Sequence, residues 1–566
     1  MFKKSIDNQQ LDVFSSPSEH LSGSSMKYYL KDDSWHNQFR QQVVKRVDES
    51  IFSVLYDDKN GAPNASIRVL VGMMILKEAH GWSDEQLFEN ANYNLLIRSA
   101  LGLMNLKDAV PAASTYYLFR SRLVKYNKEQ GVDLYKICQE RITTSQILEF
   151  NVSGKQVRMD SKLLGSNIAW LSRYELIHET LRLFIEEREE FIYKKSLSKA
   201  EFSLIKSIQQ ETGNKVVYRS TKAEIDSRLI ALGKLMYRFL KLFKSHDDGQ
   251  YQTLKTVFEQ QYSVSKDKVV LPLENEKISA TSIQSPHDTD AHYRDKDGNK
   301  VKGYSINITE TCDQPQGEDQ PLLNLITDTQ VAVVSTPDNA FLQPALDNTQ
   351  AIVPNSIKQV YADGAFNSTK NQEYCQNKDI DLLLTGIQGA TPRYDLTLDE
   401  QDKDKLIVID NKTGKTIEAQ QVKTRRDGTQ KKWKIKTEDG HNRYFGMESI
   451  RAALLRQKLR HIPKEQTNIR NNVEATIFQL AYHYSNAKSR YRGLARHKLW
   501  AYSRTLWINF VRIMKYVTQL CQRTLLGQHL PQNTVKIFYK MQIIVSILIT
   551  HQTTHQNPKI IPFSAF

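Results

Sequence analysis

Acidic residues are missing from the C-terminal end of this chain. Glu474 is the last Asp or Glu, although residues 475–566 contain 12 Lys and Arg. A single carboxylate beside so basic a tract is a poor way to solubilise a surface. Its position favours an acid held near a polyanion by a metal ion, because a bound cation cancels the repulsion between carboxylate and polyanion.

Cysteines are scarce and scattered. The four cysteines form neither a CxxC pair nor a Cys/His cluster: Cys138, Cys312, Cys375 and Cys521. This spacing argues against a zinc site, and we expect no zinc. Scattered cysteines also suit a reducing cytosol better than a disulfide-stapled secreted protein.

Long hydrophobic runs are also absent. The N-terminal MFKKSIDNQQLDVF has no apolar run after its lysines, so we expect no signal peptide there. The longest apolar-rich stretch, Val535 to Thr550, is interrupted by Lys536 and Lys540 and is too short to span a membrane. With 40% hydrophobic and 25% charged residues, the 566-residue chain is typical of a soluble protein with several domains.

The positive charge is concentrated in one region. The chain has 78 Lys and Arg against 63 Asp and Glu, a net charge of +15, but residues 421–530 alone hold 23 against 6. Aromatic residues such as Tyr482, Tyr491 and Trp500 are interleaved with these cations. A solvated basic face would account for the charge more simply, but the concentration favours a phosphate-backbone partner such as nucleic acid.

The first quarter of the chain predicts helices. Residues 1–35 have the composition of a polar arm, and residues 36–150 read as several helices with short turns. Ser83 and Gln86 predict a capping box at one helix start. A helix-turn-helix reader of DNA and a plain helical bundle fit this pattern about equally well.

The middle of the chain changes to α/β alternation. We predict a strand at 155–164, a helical region at about 170–262, and then strands and helices in alternation, which implies parallel crossover units. The expected later elements are strands at 302–309, 322–334, 357–364 and 380–387, and helices near 338–349 and 368–377. A small β-rich insertion at 394–446, helices over 447–525 and a tail helix within 526–566 complete the prediction.

Three acids stand out by position. Asp160 lies in the first strand, Asp363 ends a later strand, and Glu474 borders the apolar stripe of a helix, one turn after Arg470. Sites in α/β sheets form where strands end, and carboxylates are the ligands that magnesium prefers. Two such ions can drive an in-line displacement at phosphorus.

Each of these acids could also have a purely structural role. Asp160 can be a surface residue, Asp363 can make an Asx turn, and Glu474 can simply pair with Arg470. Asp288 and Asp290, with His287 and His292 nearby, are rival metal ligands in a segment that reads as a loop.

Five segments in a fixed order carry a family resemblance: SIRVLVGMMILKEAHGWSDEQLFENANYNLLIRSALGL, VRMDSKLLGSNIAW, SPHDTDAHYRDKDGNKVKGYSINIT, VYADGAFNS and NIRNNVEATIFQLAYHYSNAKSRYRGLARHKLW. With them the chain resembles bacterial insertion-sequence transposases of the Asp-Asp-Glu type, in the branch with an InsH-like N-terminal domain.

The resemblance implies an α/β fold: an RNase H-like mixed sheet with flanking helices, split between 151–393 and 447–525, behind an all-α N-terminal DNA-binding domain. Asp160, Asp363 and Glu474 then hold two Mg²⁺ ions, which Mn²⁺ can replace, and Arg470 assists them. The implied activity is cleavage at the transposon ends and joining of the 3′-hydroxyl to target DNA. The implied partners are double-stranded DNA, with terminal inverted repeats and a target, and a second copy of the chain, in the bacterial cytoplasm at the nucleoid.

The chain departs from its relatives at two positions on the Glu474 helix. Thr467 and Ala481 stand where some relatives have Tyr and Lys. Cations later in the sequence are the candidates for the missing phosphate contact and for a DNA track: Lys488, Arg490, Arg492, Arg496 and Lys498. A catalytically inactive or co-opted DNA-binding protein, and a metal-dependent nuclease without strand transfer, remain as alternatives.

Overall fold

The computed structural model describes residues 1–5, 16–57, 60–245, 248–296, 298–314, 321–386, 392–399, 405–422, 431–460, 464–484 and 488–525. It is a mixed α/β structure with one central mixed sheet, a second antiparallel sheet and three groups of helices.

The N-terminal quarter is helical, as predicted. Its helices are α1 (Pro17–His20), α2 (Gly23–Leu30), α3 (Trp35–Gln42), α4 (Ile67–His80), α5 (Asp84–Tyr93), α6 (Leu95–Leu101), α7 (Ala113–Gln130) and α8 (Leu134–Phe150), with 3-10 turns at Val44–Arg46 and Glu49–Leu55. The capping box of Ser83 and Gln86 is confirmed at the start of α5. The predicted polar arm contains the two short helices α1 and α2.

Helix α4 is the buried centre of this group. The Ser66 hydroxyl caps its start by accepting from the amide of Val69, and Gly81 ends it in the left-handed conformation with φ +67°. Nearly every side chain between these caps is buried, which explains the almost continuous apolar run in its sequence.

A helical insertion follows the first strand, β1 (Gln156–Gly165). Its members are α9 (Arg173–Glu187), α10 (Glu189–Tyr193), α11 (Lys199–Gln210), α12 (Gly213–Arg219), α13 (Lys222–Leu242) and α14 (Gly249–Gln261), followed by a hairpin of β2 (Tyr262–Val264) and β3 (Val270–Pro272). The helices enclose their own apolar core around Phe184, Phe239 and Phe243. The helical region predicted at about 170–262 is confirmed.

The central sheet is completed by β4 (His292–Lys296), β5 (Asn299–Thr311), β6 (Ile326–Val333), β7 (Gln359–Ala362) and β8 (Asp381–Leu384). The strand order is β4–β5–β1–β7–β8, and β6 also pairs with β5. Strand β5 is antiparallel to β1, whereas β1, β7 and β8 are parallel to one another. Helix α15 (Leu342–Ile352) leads into β7, and α16 (Thr369–Asn377) joins β7 to β8, so the predicted strand–helix alternation is confirmed.

A second sheet occupies the place of the predicted β-rich insertion. Its strands are β9 (Tyr394–Leu398), β10 (Leu406–Asp410), β11 (Thr416–Val422), β12 (Lys432–Lys436) and β13 (Asn442–Gly446). They pair antiparallel in sequence order around the fully buried Trp433.

Three helices end the described chain: α17 (Met447–Arg460), α18 (Lys464–Leu480) and α19 (Leu494–Leu525). The tail helix predicted within 526–566, including Val535 to Thr550, lies outside the described residues. No helix in the described ranges is both long enough and apolar enough to cross a membrane.

Helix α19 unites the N-terminal helices with the sheet. Leu506 and Phe510 lie in the same core cluster as Phe39 and Ile75, while Ile508 packs with the sheet residue Ile306. Because one helix contributes to both cores, the N-terminal helices are packed as part of a larger body. Their separation as an independent DNA-binding domain stays a prediction.

Candidate active site

Asp160 on β1 and Asp363 at the end of β7 come level with each other when the parallel register of the two strands is extended. Strand β1 alternates Val157 and Met159, buried on one face, with Arg158 and Asp160 on the other. Arg158 pairs with Tyr361 on β7, and extending this register by two positions places Asp160 level with Asp363, the residue that follows β7. The Asp363 carboxylate accepts from the amide of Gly364 at 2.5 Å and begins a 3-10 turn at Gly364–Phe366.

Glu474 comes to the same face on helix α18. The predicted apolar stripe packs inward, with Val473, Ile477 and Leu480 buried. The Glu474 side chain, one position off this stripe, is 62% exposed. The helix therefore anchors the backbone of Glu474 while its carboxylate remains accessible to solvent.

Arg470 joins two of the three acids. Its guanidinium Nη2 lies 3.0 Å from Oδ2 of Asp160, and Nη1 lies 2.7 Å from Oε1 of Glu474. The Arg470 side chain is only 11% exposed, so both contacts are partly shielded from water. The ion pair of Glu474 with Arg470, which was the structural alternative for this acid, is thus present. The same guanidinium also contacts Asp160, so it links the two acids.

The pKa of Asp160 reflects its burial and the two acids near it. The pKa of Asp160 is raised to about 6, chiefly by burial and also by the charges of Asp363 and Glu474, while Arg470 and the amide of Ser161 oppose the shift. Burial and two neighbouring acids make the ionised form of this carboxyl unfavourable, and a bound cation would stabilise that form.

The donor set fits a hard divalent cation, because all three groups supply carboxylate oxygens. Across the part of the chain that the structure describes, however, no three Asp, Glu, His or Cys side chains converge closely enough to hold one ion. In this arrangement, the guanidinium of Arg470 balances the charge of Asp160 and Glu474.

A fully buried acid, Glu310 on β5, holds α18 against the sheet. Its carboxylate lies 2.6 Å from Nε of Arg158 and 2.7 Å from Nη2 of Arg512, and it accepts from the Thr476 hydroxyl at 2.8 Å. Burial alone would raise the pKa of Glu310, but Arg512 and Arg158 hold it below its ordinary value. Arg158 also donates to the carbonyl of Ile469 at 2.8 Å, so this ionic cluster fixes α18 on both sides of Glu474.

A buried arginine, Arg504 on α19, holds the C-terminal end of the same helix. It donates to the carbonyls of Gln479 and Leu480 at the end of α18, and to those of Glu78 and Ala79 at the end of α4. Terminal carbonyls of helices lack partners within the helix, and a cation satisfies them well. One side chain therefore ties the Glu474 helix to the N-terminal helices.

The rival metal ligands have structural partners instead. Asp288 is buried and accepts from the Tyr304 hydroxyl at 2.7 Å and from the amide of Gly493 at 2.9 Å. Asp290 accepts from the amide of Leu494 at 3.1 Å, so both acids cap the start of α19. His287 contacts Glu179 and His292 contacts Ser335, away from a shared centre.

The five cations predicted to track DNA divide into two groups. Lys488, Arg490 and Arg492 each donate to backbone carbonyls of the protein, and Arg490 binds those of Gly81 and Trp82 at 3.1 and 2.7 Å. Arg496 is exposed and Lys498 half-buried in the first turns of α19. A contact of these five residues with DNA stays a prediction, and Arg490 is the one most committed to the fold.

Lys162 is a cation that sequence reasoning passed over. It lies two residues after Asp160, so the two side chains leave the same face of β1. Its side chain is half-buried. The alternation of Val157 and Met159 with Arg158 and Asp160 was the available signal, since its continuation puts Lys162 on the face of Asp160.

Comparison with known proteins finds one match. Residues 28–122 match the family model of a transposase domain (DUF772), a segment that includes α4 and ends before β1. The match supports a transposase family for this chain and a role in transposition, and transposases act on DNA. No curated protein and no solved structure matches the chain.

Proposed function

We propose that this chain is a DNA transposase of the Asp-Asp-Glu type, with an RNase H-like catalytic core. The carrying observation is the parallel register of β1 and β7, which when extended brings Asp160 level with Asp363 just after β7, together with the link from Asp160 through Arg470 to Glu474. The strand order β6–β5–β1–β7–β8, with β5 antiparallel, supports the RNase H-like assignment.

Asp160, Asp363 and Glu474 would hold the divalent ions, two Mg²⁺ or Mn²⁺. Such ions, when bound, activate a water or hydroxyl and stabilise the leaving oxygen at phosphorus. Loading this site requires Arg470 to release at least one carboxylate, because its guanidinium occupies both Asp160 and Glu474. The exposed Glu474 side chain can turn toward the two aspartates at low cost, since its helix is fixed by other contacts.

The reaction proceeds in two displacements at phosphorus. Water adds to the phosphate at the transposon end, and the bond to the 3′-oxygen breaks to leave a free 3′-hydroxyl. That hydroxyl then attacks a phosphate of target DNA, and the target's own 3′-oxygen leaves with the proton. Arg470, freed from one carboxylate, and Lys162 supply positive charge next to the reacting phosphate, in place of the lysine that Ala481 replaces.

The N-terminal helices have the expected role of binding the terminal inverted repeats. Arg504 connects the end of α4, inside the segment matched as a transposase domain, to the end of the Glu474 helix. Synapsis of two ends calls for two copies of the chain, so a homodimer on DNA is part of the proposal.

The deciding experiment changes Glu474→Gln and assays Mg²⁺-dependent cleavage of duplexes that carry the element's ends. We expect cleavage to fall by roughly 10²- to 10³-fold or more, the range that loss of one charge-stabilising group produces. Glu373→Gln, an exposed acid on α16, is the matched control. Undiminished cleavage by Glu474→Gln sinks the assignment of this residue. Cleavage without joining to a target would favour the nuclease alternative, and DNA binding without cleavage by the unaltered chain would favour the inactive relative.

A further inference from the structure

An open cavity of about 780 Å³ lies in the helical insertion, between α10, α11 and the start of α13. Its lining holds four cations, Lys195, Lys199, Lys206 and Arg228, and one carboxylate, Glu211. None of the residues of the candidate active site lines this cavity.

One face of α11 forms its floor. Lys199, Ser203, Lys206, Ser207 and Gln210 line the cavity, and their spacing of 4, 3, 1 and 3 positions keeps them on one side of the helix. Every one of these side chains can donate a hydrogen bond. The opposite side of α11 packs Ile205 and Ile208 into the core of the insertion.

The acid of α11, Glu201, has partners outside the cavity floor. Glu201 accepts from the amide of Ser198 at 2.8 Å to close a capping box, and it lies 3.8 Å from Nε of Arg238. It therefore leaves the lysines of the cavity floor without neutralisation from their own helix. Lys206 instead lies 4.8 Å from the ring centre of Phe202, an aromatic contact that preserves its charge.

Lysine, serine, glutamine and tyrosine side chains are groups that proteins use on phosphate and sugar, where contacts fix position without reading sequence. Tyr193 and Phe202 add a partly exposed aromatic pair, 5.5 Å apart, at the same cavity. We propose that this cavity, lined by Lys199, Lys206 and Arg228, is a second DNA-binding surface that grips the phosphate backbone. The proposal rests on the proposed function for its ligand, and it assigns the helical insertion a role in holding DNA.

The test compares two double variants of the full chain. Lys199→Gln with Lys206→Gln removes two cations from the cavity, and Lys234→Gln with Lys255→Gln removes two exposed cations of the same insertion outside it. Equilibrium binding to a duplex carrying the element's ends is measured across a salt series with EDTA, so that catalysis does not enter. Each phosphate contact contributes about 0.9 to the slope of log K against log salt, so the cavity variant should lose about 1.8 while the control variant keeps the slope of the unaltered chain.

Equal slopes for all three proteins overturn the cavity proposal, including the case in which the cavity takes an acidic protein segment. An equal loss in both variants overturns it too, because the effect would then follow net charge. The two proposals fail separately. Suppose that the unaltered chain binds DNA, that only the cavity variant has a smaller salt slope, and that the unaltered chain never cleaves with Mg²⁺. The cavity proposal is then supported and the transposase assignment is overturned. If cleavage occurs and the slopes are equal, the reverse holds.

Discussion

Two acid–arginine clusters occupy the same face of the central sheet, and they differ in how fully their charges are satisfied. Glu310 is wholly buried and has three donors, from Arg158, Arg512 and Thr476. Asp160, one strand away, shares a single arginine with Glu474 and faces Asp363 as well. The pKa of Glu310 is lowered, whereas that of Asp160 is raised to about 6.

The difference separates a structural site from a chemical one. A buried carboxylate with a full set of partners holds elements together and has no capacity left for a ligand. A carboxylate with too little compensation is a candidate functional group, because its unfavourable charge can be relieved by a cation. The comparison predicts that stability depends on the Glu310 cluster and activity on the Asp160 cluster.

The largest expected effect on stability comes from Glu310→Gln. The change leaves the half-buried Arg158 and Arg512 with one charge fewer to pair, and removal of one partner from a buried ionic group costs about 3–5 kcal/mol. Urea unfolding followed by circular dichroism measures the loss. Glu474→Gln, at a side chain 62% exposed, is the control and should change the free energy of unfolding by less than ~0.5 kcal/mol. Similar losses in both variants would erase the distinction between the clusters.

A smaller effect of opposite sign is expected from Asp160→Asn in the absence of metal. The pKa of Asp160 is raised from 3.8 to about 6, so this group favours the folded state fully below pH 3.8 and loses that contribution as the pH rises through 6. Asparagine cannot ionise, and at pH 8 the variant should be more stable than the unaltered chain by roughly 2–3 kcal/mol. Near pH 4 the two should nearly coincide.

Thermal unfolding in EDTA at pH 4.5 and pH 8 measures how the stability difference between the two proteins changes with pH. In a separate assay with Mg²⁺, the same variant should have lost DNA cleavage. A stability difference that does not change between the two pH values would show that the Asp160 carboxylate is not perturbed. Stabilisation together with loss of cleavage would identify Asp160 as a group retained for chemistry at the expense of folding.

The smallest effect is expected from Lys162→Gln. A single charged hydrogen bond to a phosphate contributes about 1.5 kcal/mol, so the cleavage rate should fall about 10-fold. Lys155→Gln, an exposed lysine just before β1, is the control. Single-turnover cleavage at saturating DNA is the measurement, and equal rates for the two variants would remove Lys162 from the site.

Local patterns in the sequence predict much of the secondary structure. The alternation of VRMDSKLL predicts β1 to within a residue at each end, the run IRVLVGMMILKEAH predicts the buried α4, and Ser83 with Gln86 predicts a capping box. These features depend on the period of apolar side chains and on cap chemistry, which act within a few residues. The stripe on α18 likewise places Val473, Ile477 and Leu480 inward.

Partners that are distant in sequence are not predicted. Arg490 reads as a free cation of a basic tract, but it binds the carbonyls of Gly81 and Trp82 more than 400 residues earlier. Asp288 and Asp290 read as loop acids that could hold a metal, but they cap α19. Nothing local distinguishes a buried Glu310 from the other 62 acids of the chain, because its partners come from β1, α18 and α19.

The sequence by itself determined the α/β alternation, the helical insertion after β1 and the three acids worth testing, because periodicity and position along strands and helices are local properties. Only the tertiary structure decided that Asp160 stands level with Asp363, that Arg470 bridges Asp160 to Glu474, and that Glu310 holds the Glu474 helix in place. Strand register and buried ion pairs bring together residues hundreds of positions apart, and their energies depend on burial that the chain acquires only when it folds.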